Sequence, residues 1–484
     1  MKKYLCLILS FVFILFTSGC SCNNDEQSDN EIYETKLISV PSVMAYSIKD
    51  INSKPEPVKP FDTGISLNYF KQEEIKGVEE YFRDEFVRMH MLFDRHYYYY
   101  DNDGNLINNL RVINESRGED IVVDQDLINI INEGINFTKL SKGKFNIAVG
   151  ALSDLWNKYI DFGKMGGLVD LNQIDRYEYV DGQFVESNEG NYIHGYGLYV
   201  DINRYNRCTY NKETEKCIED VNGSYIEIDA SAPSSELIDD AKSCVPTYEN
   251  IEDIIVVNDE NNTIKINSLP GCNLDMSITL GALGKSYAVE KIASSGKFDN
   301  GNYLMNVGQS TIKLIGKNLS RSSREWQIGI TDSYLVYKKY IPTQGLKYAS
   351  YLLTLKNSTS ISTSSGDEQH YYYRGKYYHH IIDPISGYPN QNRFAITALC
   401  ENAMYADIVT TALMSMNMEE TKEFLRELIK QNIHVELFIQ DKENGNVAVY
   451  ATNNFKNSVS IRFKEDDLKD YLDTITIKEL DYGA

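Results

Sequence analysis

Four short stretches of this 484-residue chain carry residue types whose spacing could do chemistry. The first is Ala403-Met-Tyr-Ala-Asp-Ile-Val-Thr-Thr-Ala-Leu413. On a helix, Asp407 and Thr411 are four apart and share a face, with Thr410 one step round. A carboxylate beside a hydroxyl is a hard-oxygen half-site of the kind that holds Mg²⁺, with water and substrate phosphates completing the shell. The second is His380-Ile-Ile-Asp-Pro-Ile-Ser-Gly-Tyr-Pro389, where Asp383 stands close enough to orient His380 and Pro384 with Gly387 fixes the turn that presents them. Imidazole is the usual general base near neutral pH. The third, Leu280-Gly-Ala-Leu-Gly-Lys-Ser-Tyr-Ala-Val-Glu290, opens a helix with Gly281 and Gly284, which let backbone approach a bulky ligand, and a helix start favours anionic groups. Its glycine spacing before Lys285 is not that of a P-loop. The fourth, Ser362-Thr-Ser-Ser-Gly-Asp367, reads as a hydroxyl-rich turn.

These segments must be carried by a scaffold of mixed elements. Apolar periodicity predicts amphipathic helices over 78–96 and 126–140. A helix over 277–295 ends at Gly296, and two successive helices span 402–416 and 419–431. Strands are expected over 61–69, near 303–316 and over 326–331. Residues 251–266 read as strand, Asn-rich turn and strand, and 434–452 as a hairpin turning at Glu443-Asn-Gly-Asn446. Helices and strands mix without regular alternation, so the fold class is α+β. Residues 161–232, rich in Gly, Asn and Tyr, read as an insertion of hairpins and loops, and 456–484 as a C-terminal extension.

Taken together and in order, the four stretches resemble the signature of the ApbE family, the FAD:protein FMN transferases. That family shows a Gly-Gly-x-Ala-Lys-Gly-Tyr-Ala-Val-Asp helix start, then Asn-x-Gly-Gly-Asp, Thr-Ser-Gly, His-x-Ile-Asp-Pro-x-Thr-Gly-x-Pro and Ala-Asp-x-x-x-Thr. Upstream, Phe61-Asp-Thr, Phe93-Asp-Arg with Tyr100-Asp-Asn-Asp103, Asn114, Gly143-Lys-Phe-Asn and Leu155-Trp156 look like the family's N-terminal half. The likeness spans residues 61–455, with Ala282, Ser286, Glu290 and Asn306-Val-Gly-Gln-Ser310 departing from the family's usual residues.

The resemblance implies a mixed sheet-and-helix fold with a flavin site in a central cleft. It implies Mg²⁺ on Asp407, Thr411 and the Gly284 carbonyl with Thr410 assisting, and His380, oriented by Asp383, acting as base on an acceptor threonine or serine of a client protein. Tyr100, Lys144, Phe145, Asn146, Gly281, Tyr287, Ser365, Gly366 and Ile382 fall at its flavin-contacting positions. The substrate would be FAD and the products FMN esterified to the client protein, and AMP. A surface protein that holds FAD without transfer, or a hydrolase giving FMN and AMP, are the competing readings.

Charge narrows the partners. With 48 Lys and Arg against 70 Asp and Glu, the net charge is −22, which repels a nucleic-acid backbone and anionic lipid alike. Membrane attachment therefore needs a discrete anchor, and the start of the chain offers one. Lys2 and Lys3 precede the run Leu5–Phe16, apolar but for Ser10 and too short to span a bilayer. Thr17-Ser-Gly-Cys20 follows, a pattern that resembles the bacterial lipobox. Residues 1–19 thus read as a signal peptide and Cys20 as the lipidated residue, with 20–60 a tether and irregular lead-in. That places the protein on the outer face of the bacterial cytoplasmic membrane. Disulfides are permitted there, and Cys208 with Cys217, which bracket a short polar loop, form the first pair expected.

Overall fold

In the computed structural model, the serine-rich stretch is not the expected turn but a strand, Thr359–Ser365, at the centre of a nine-stranded sheet. The structure describes residues 34–71, 77–165, 167–180, 183–195, 198–211, 216–228, 231–340, 349–462, 471 and 474–483. The signal peptide and Cys20 lie outside the described residues.

The nine strands lie in the sheet in chain order: β1 (Glu34–Ser39), β2 (Ile65–Lys71), β3 (Tyr303–Val307), β4 (Thr311–Ile315), β5 (Thr359–Ser365), β6 (Arg393–Cys400), β7 (Glu436–Glu443), β8 (Asn446–Ala451) and β9 (Ile477–Glu479). Each runs antiparallel to its neighbour except the last pair, which is parallel. Period-two alternation sorts the residues between two layers. On β5, Ile361 faces one apolar cluster with Leu314, Phe438 and Val449, beneath a small sheet of Trp326–Thr331, Ala349–Leu355 and Val459–Ile461. Ser360, Ser362 and Ser364 alternate with it, and the Ser362 and Ser364 hydroxyls meet helix side chains on the other face. There the main core joins Met305, Ile396, Leu437 and Ile439 to the helices.

The helices of that face are α1 (Val78–Phe93), α2 (Gln125–Leu140), α4 (Gly284–Ala293), α5 (Ala403–Met414) and α6 (Met418–Lys430), while α3 (Gly150–Met165) packs on a satellite cluster around Trp156. Helix α5 lies on β5 and β6 and against α4, so most of its circumference is buried. Its N-terminus is closed by the Asn402 side chain, which accepts the Met404 and Tyr405 amides, and by Glu290, whose Oε2 accepts the Ala403 amide at 2.8 Å. Helix α6 starts with an Asn417–Glu420 capping box.

Three expectations need correction. The lead-in is ordered from residue 34: β1 pairs with β2, and Val43–Ala45 pairs with Glu56–Val58, because edge pairing recruits a stretch whose own periodicity is weak. Helix α4 begins at Gly284, not Ser277, since Thr279 donates its amide to the Ile147 carbonyl and Asn114 bonds both the amide and carbonyl of Ile278. Residues 456–484 are not an appendage, for they supply Val459–Ile461 and β9 to the two sheets. The insertion consists of two four-stranded antiparallel sheets between 167 and 228. Cys208 there is disulfide-bonded, and the side chain of Cys217 lies outside the described residues. The pair Cys244–Cys272, not expected from spacing, forms a second bridge.

Candidate active site

Asp407 sits one turn into α5 and points at the sheet. Its Oδ1 accepts the Ser362 hydroxyl at 2.9 Å and its Oδ2 the Thr311 hydroxyl at 3.4 Å. Ser286, in the first turn of α4, also hydrogen-bonds the carboxylate, and the Lys285 charge acts on it. Burial raises its pKa above the ordinary carboxylate range; Lys285 and the hydroxyls pull the other way. Three elements thus converge on one buried carboxylate, and the turn that holds Gly284 is among them.

The neighbouring hydroxyls form a chain. Ser364 donates to Thr410 Oγ1 at 2.9 Å and lies 3.4 Å from Thr411 Oγ1, while Thr410 donates to the Asp407 carbonyl at 3.0 Å. The Phe61 and Phe93 rings pack on Gly284, each 3.4 Å from where a Cβ would stand. Among the described residues no three His, Cys, Asp or Glu side chains cluster to hold a metal. The surroundings of Asp407 offer one carboxylate with hydroxyl oxygens, a set that fits a hard cation completing its shell from water and phosphate and does not fit a structural zinc.

The second half of the site follows along β5. Ser364 touches Thr410, and Gly366, two residues or about 7 Å further along an extended chain, lies against His379: a Cβ on Gly366 would meet His379 Cβ at 2.9 Å and the Tyr377 hydroxyl at 2.8 Å. Glycine is needed there. His379 is fully buried; its Nδ1 accepts the Ile381 amide, so its Nε2–H donates to the Asn390 carbonyl at 2.8 Å, and burial pushes its pKa down to about 4. His380 follows, half-buried, its amide donating to the Gln369 carbonyl.

Asp383 is engaged away from the imidazole expected for it. Its Oδ1 caps the Ile385 amide at 3.1 Å, and its Oδ2 faces Lys144 Nζ at 3.6 Å. Lys144 also lies 3.8 Å from Glu420 of α6, so it ties its own loop to the turn after His380. Trp156 of α3 braces that turn, donating to the Gly387 carbonyl at 2.8 Å and stacking on Tyr378.

The other expected flavin positions are dispersed. Phe145 is buried in the main core and Ile382 in the cluster around Trp156. The Asn146 amide donates to the Pro246 carbonyl and accepts the Ala148 amide. Tyr287 donates to Asp126 of α2 at 2.7 Å and meets Phe93 edge-on. Tyr100 packs edge-to-face on Tyr46. Gly281 is exposed on the turn before α4, and the Ser365 hydroxyl accepts the Asp367 amide. Spacing on the sequence missed Ser286, Thr311 and Ser362 as partners of Asp407 and Ser364 as the partner of Thr410; a serine at every second position of β5 is the signal that could have found two of them.

The family model for ApbE matches residues 61–203 and 217–436, a span that contains all four motifs and leaves out part of the insertion. The chain belongs to the ApbE family. Curated relatives include the FAD:protein FMN transferases of Escherichia coli K12, 25% identical over 196 residues, and of Haemophilus influenzae, 29% identical over 181 residues. These alignments cover 40% and 37% of this chain and 50% and 46% of the relatives, so the chain matches about half the length of each. Among solved structures, the ApbE protein of Thermotoga maritima has a TM-score of 0.53 at 20% identity, covering 86% of this chain and 99% of its own. The flavin transferase ApbE of Vibrio cholerae gives 0.53 at 18%, covering 88% and 99%. At these identities the structural likeness carries the fold, and this ApbE chain shares it nearly end to end with the smaller solved proteins.

Proposed function

We propose that this protein transfers the FMN moiety of FAD to a threonine or serine hydroxyl of a client protein, releasing AMP, with Mg²⁺ as cofactor. One observation supports it above the others. A buried carboxylate, Asp407, without an ion-pair partner among the described residues, is ringed by hydroxyls from β4, β5 and the first turn of α4. That is a poor way to stabilise a core and a sound way to present oxygen ligands.

Asp407, the Thr411 hydroxyl and the Gly284 carbonyl are the groups that would hold the ion. When bound, Mg²⁺ supplies neutralisation of charge developing on the diphosphate oxygens. Thr410 keeps the carboxylate's helix turn in register through its bonds to Ser364 and to the Asp407 carbonyl. His380 takes the proton of the acceptor hydroxyl, and Asp383, fixed by Lys144 and the Ile385 amide, holds the turn that presents it. The Ser365-Gly366 backbone and Gly281 lie against the nucleotide.

Purified protein incubated with FAD, Mg²⁺ and a threonine-bearing acceptor peptide tests this, read by mass spectrometry and flavin fluorescence. The expected product is a flavin-bearing peptide with one AMP released. Free FMN with AMP would identify a hydrolase, and unchanged FAD a binder. Asp407→Ala should lower the rate by about a hundredfold or more; full activity at limiting Mg²⁺ removes the metal assignment.

We further infer export and lipid anchoring through Cys20. The Cys244–Cys272 disulfide supports an oxidising compartment. No helix among the described residues is long and apolar enough to cross a membrane, so attachment would rest on the lipid. Cys20→Ala should move the protein from the detergent phase to the aqueous phase on Triton X-114 partition.

A further inference from the structure

Phe61 and Asp62 both adopt left-handed backbone conformations, with φ of 53° and 52°. Bulky non-glycine residues rarely do so, and two in succession need outside support. The support comes from a buried chain that starts at His90 on α1. The Phe61 amide donates to His90 Nδ1 at 3.2 Å. That nitrogen is therefore an acceptor, and the ring carries its proton on Nε2, which donates to the Tyr99 hydroxyl oxygen at 3.1 Å. The Tyr99 hydroxyl then donates to Asp94 Oδ2 at 2.6 Å, and Asp94 Oδ1 accepts the His96 amide at 2.6 Å. His90, Tyr99 and Asp94 are 5%, 1% and 9% exposed. Each proton in the chain has one assignment, and reversing any of them leaves a buried group without a partner.

What the chain holds is the wall behind Gly284. The Phe61 ring packs on the His90 ring at 5.5 Å and edge-on to Phe86 at 6.4 Å, and its Cε1 would lie 3.4 Å from a Cβ on Gly284. Phe93, one turn beyond His90 on the same helix, closes on Gly284 at the same distance. A displaced Phe61 would take away one of the two rings on which the first turn of α4, which carries Gly284, is seated.

We propose that His90 is a positioning residue for the metal site, fixing the orientation of the Gly284 carbonyl through the left-handed Phe61–Asp62 turn. This rests on the reading that Asp407 and Gly284 share a cation. His90 reaches the Phe61 amide at 3.2 Å and packs on its ring at 5.5 Å between centroids, so its effect travels through the Phe61 turn and ring.

The test is Mn²⁺ affinity of the full chain, followed by electron paramagnetic resonance of the free ion, with the thermal midpoint recorded for each variant. Wild type should bind Mn²⁺ and Asp407→Ala should not. His90→Leu, which keeps bulk and loses both hydrogen bonds, should weaken binding about tenfold, the effect usual for a group that orients a ligand. His90→Gln, which can accept the Phe61 amide and donate to Tyr99, should recover most of it. His90→Leu binding like wild type overturns the proposal while leaving the Asp407 reading intact, and so does His90→Gln binding as weakly as His90→Leu. Wild type that fails to bind Mn²⁺ overturns both. Should His90→Leu not fold, Tyr99→Phe carries the test, since it deletes one hydroxyl from the chain and keeps the packing: weakened binding supports the proposal and unchanged binding overturns it.

Discussion

Asp367 lies at the end of the Ser362–Asp367 stretch, on the far side of the backbone from the pocket. Its Oδ2 accepts the Ser333 hydroxyl at 2.5 Å, and burial, with Asp332 and Glu368 nearby, pushes its pKa up to about 7. Asp332 is buried too, its oxygens taken by the Tyr334 and Leu335 amides and the Tyr351 and Tyr471 hydroxyls, and its pKa is also raised. Two acidic groups share one dry region. A carboxyl whose folded pKa stands above its unfolded value holds more protons in the native state, so its stabilising contribution is complete below about pH 4 and is lost as pH rises through about 7. Wild type should accordingly lose stability between pH 5 and pH 8, by on the order of a few kcal/mol if the shift is fully expressed. Asp367→Asn, a neutral isostere that still accepts the serine proton, should flatten that slope. Urea midpoints at the two pH values measure it; parallel slopes for variant and wild type would falsify the assignment. The sequence marked this residue only as the last of a turn, because burial by Ser333 and Tyr377 is a tertiary fact.

At the scale of elements, local signals located those helices whose amphipathic face and cap agree. Helices α1, α2, α5 and α6 begin within about a residue of where the sequence pattern places them, and in the fold Asp124, Asn402 and Asn417 cap the last three. Long-range pairing decided the rest. Helix α3 starts where the Gly150 amide meets the Ser277 carbonyl, a contact so close that a Cβ on Gly150 would stand 2.4 Å from that oxygen, and nothing within fifteen residues announces it. The hydroxyls of Ser362 and Ser364 favour a turn, and pairing with β4 and β6 on both sides overrides that preference. Glu290 stands where the family usually has Asp. In the fold it joins α4 to α5: its Oε2 accepts the Ala403 amide and faces Lys313 Nζ at 3.1 Å. Glu290→Ala leaves the Ala403 amide without its side-chain acceptor and a largely buried ammonium without its carboxylate, a cost of about 1–3 kcal/mol. The expected result is a lower urea midpoint at unchanged m-value. Unaltered stability shows that the Asn402 cap suffices alone.

For the whole molecule, the sheet is the frame, and the site is made where distant segments are fastened to it. One fastening is covalent. Cys244 follows the helix Ser235–Ser243, Cys272 precedes the turn that leads to Gly281, and the segment between them, a sequence separation of 28, includes the strands Ile255–Asn258 and Thr263–Ile266. Two residues beyond Cys244, the Pro246 carbonyl receives the Asn146 amide; six beyond Cys272, Ile278 is clasped by Asn114. The bridge therefore holds together the two approaches to the pocket that carry the Lys144–Asn146 loop and the start of α4. The sequence could not pair these cysteines, since six cysteines beyond the proposed lipid anchor allow many connectivities and short separation favours Cys208 with Cys217 instead. Closing a loop of this length removes unfolded-state entropy worth about 3–4 kcal/mol on the chain-entropy model. The Cys244→Ala/Cys272→Ala protein should unfold at a lower urea concentration by about that free energy. Dithiothreitol should lower the wild-type midpoint toward the same value and leave the double variant's untouched as regards this bridge. If the variant instead matches oxidised wild type, the crosslink adds no stability and the two approaches are held by Asn114 and Asn146 alone.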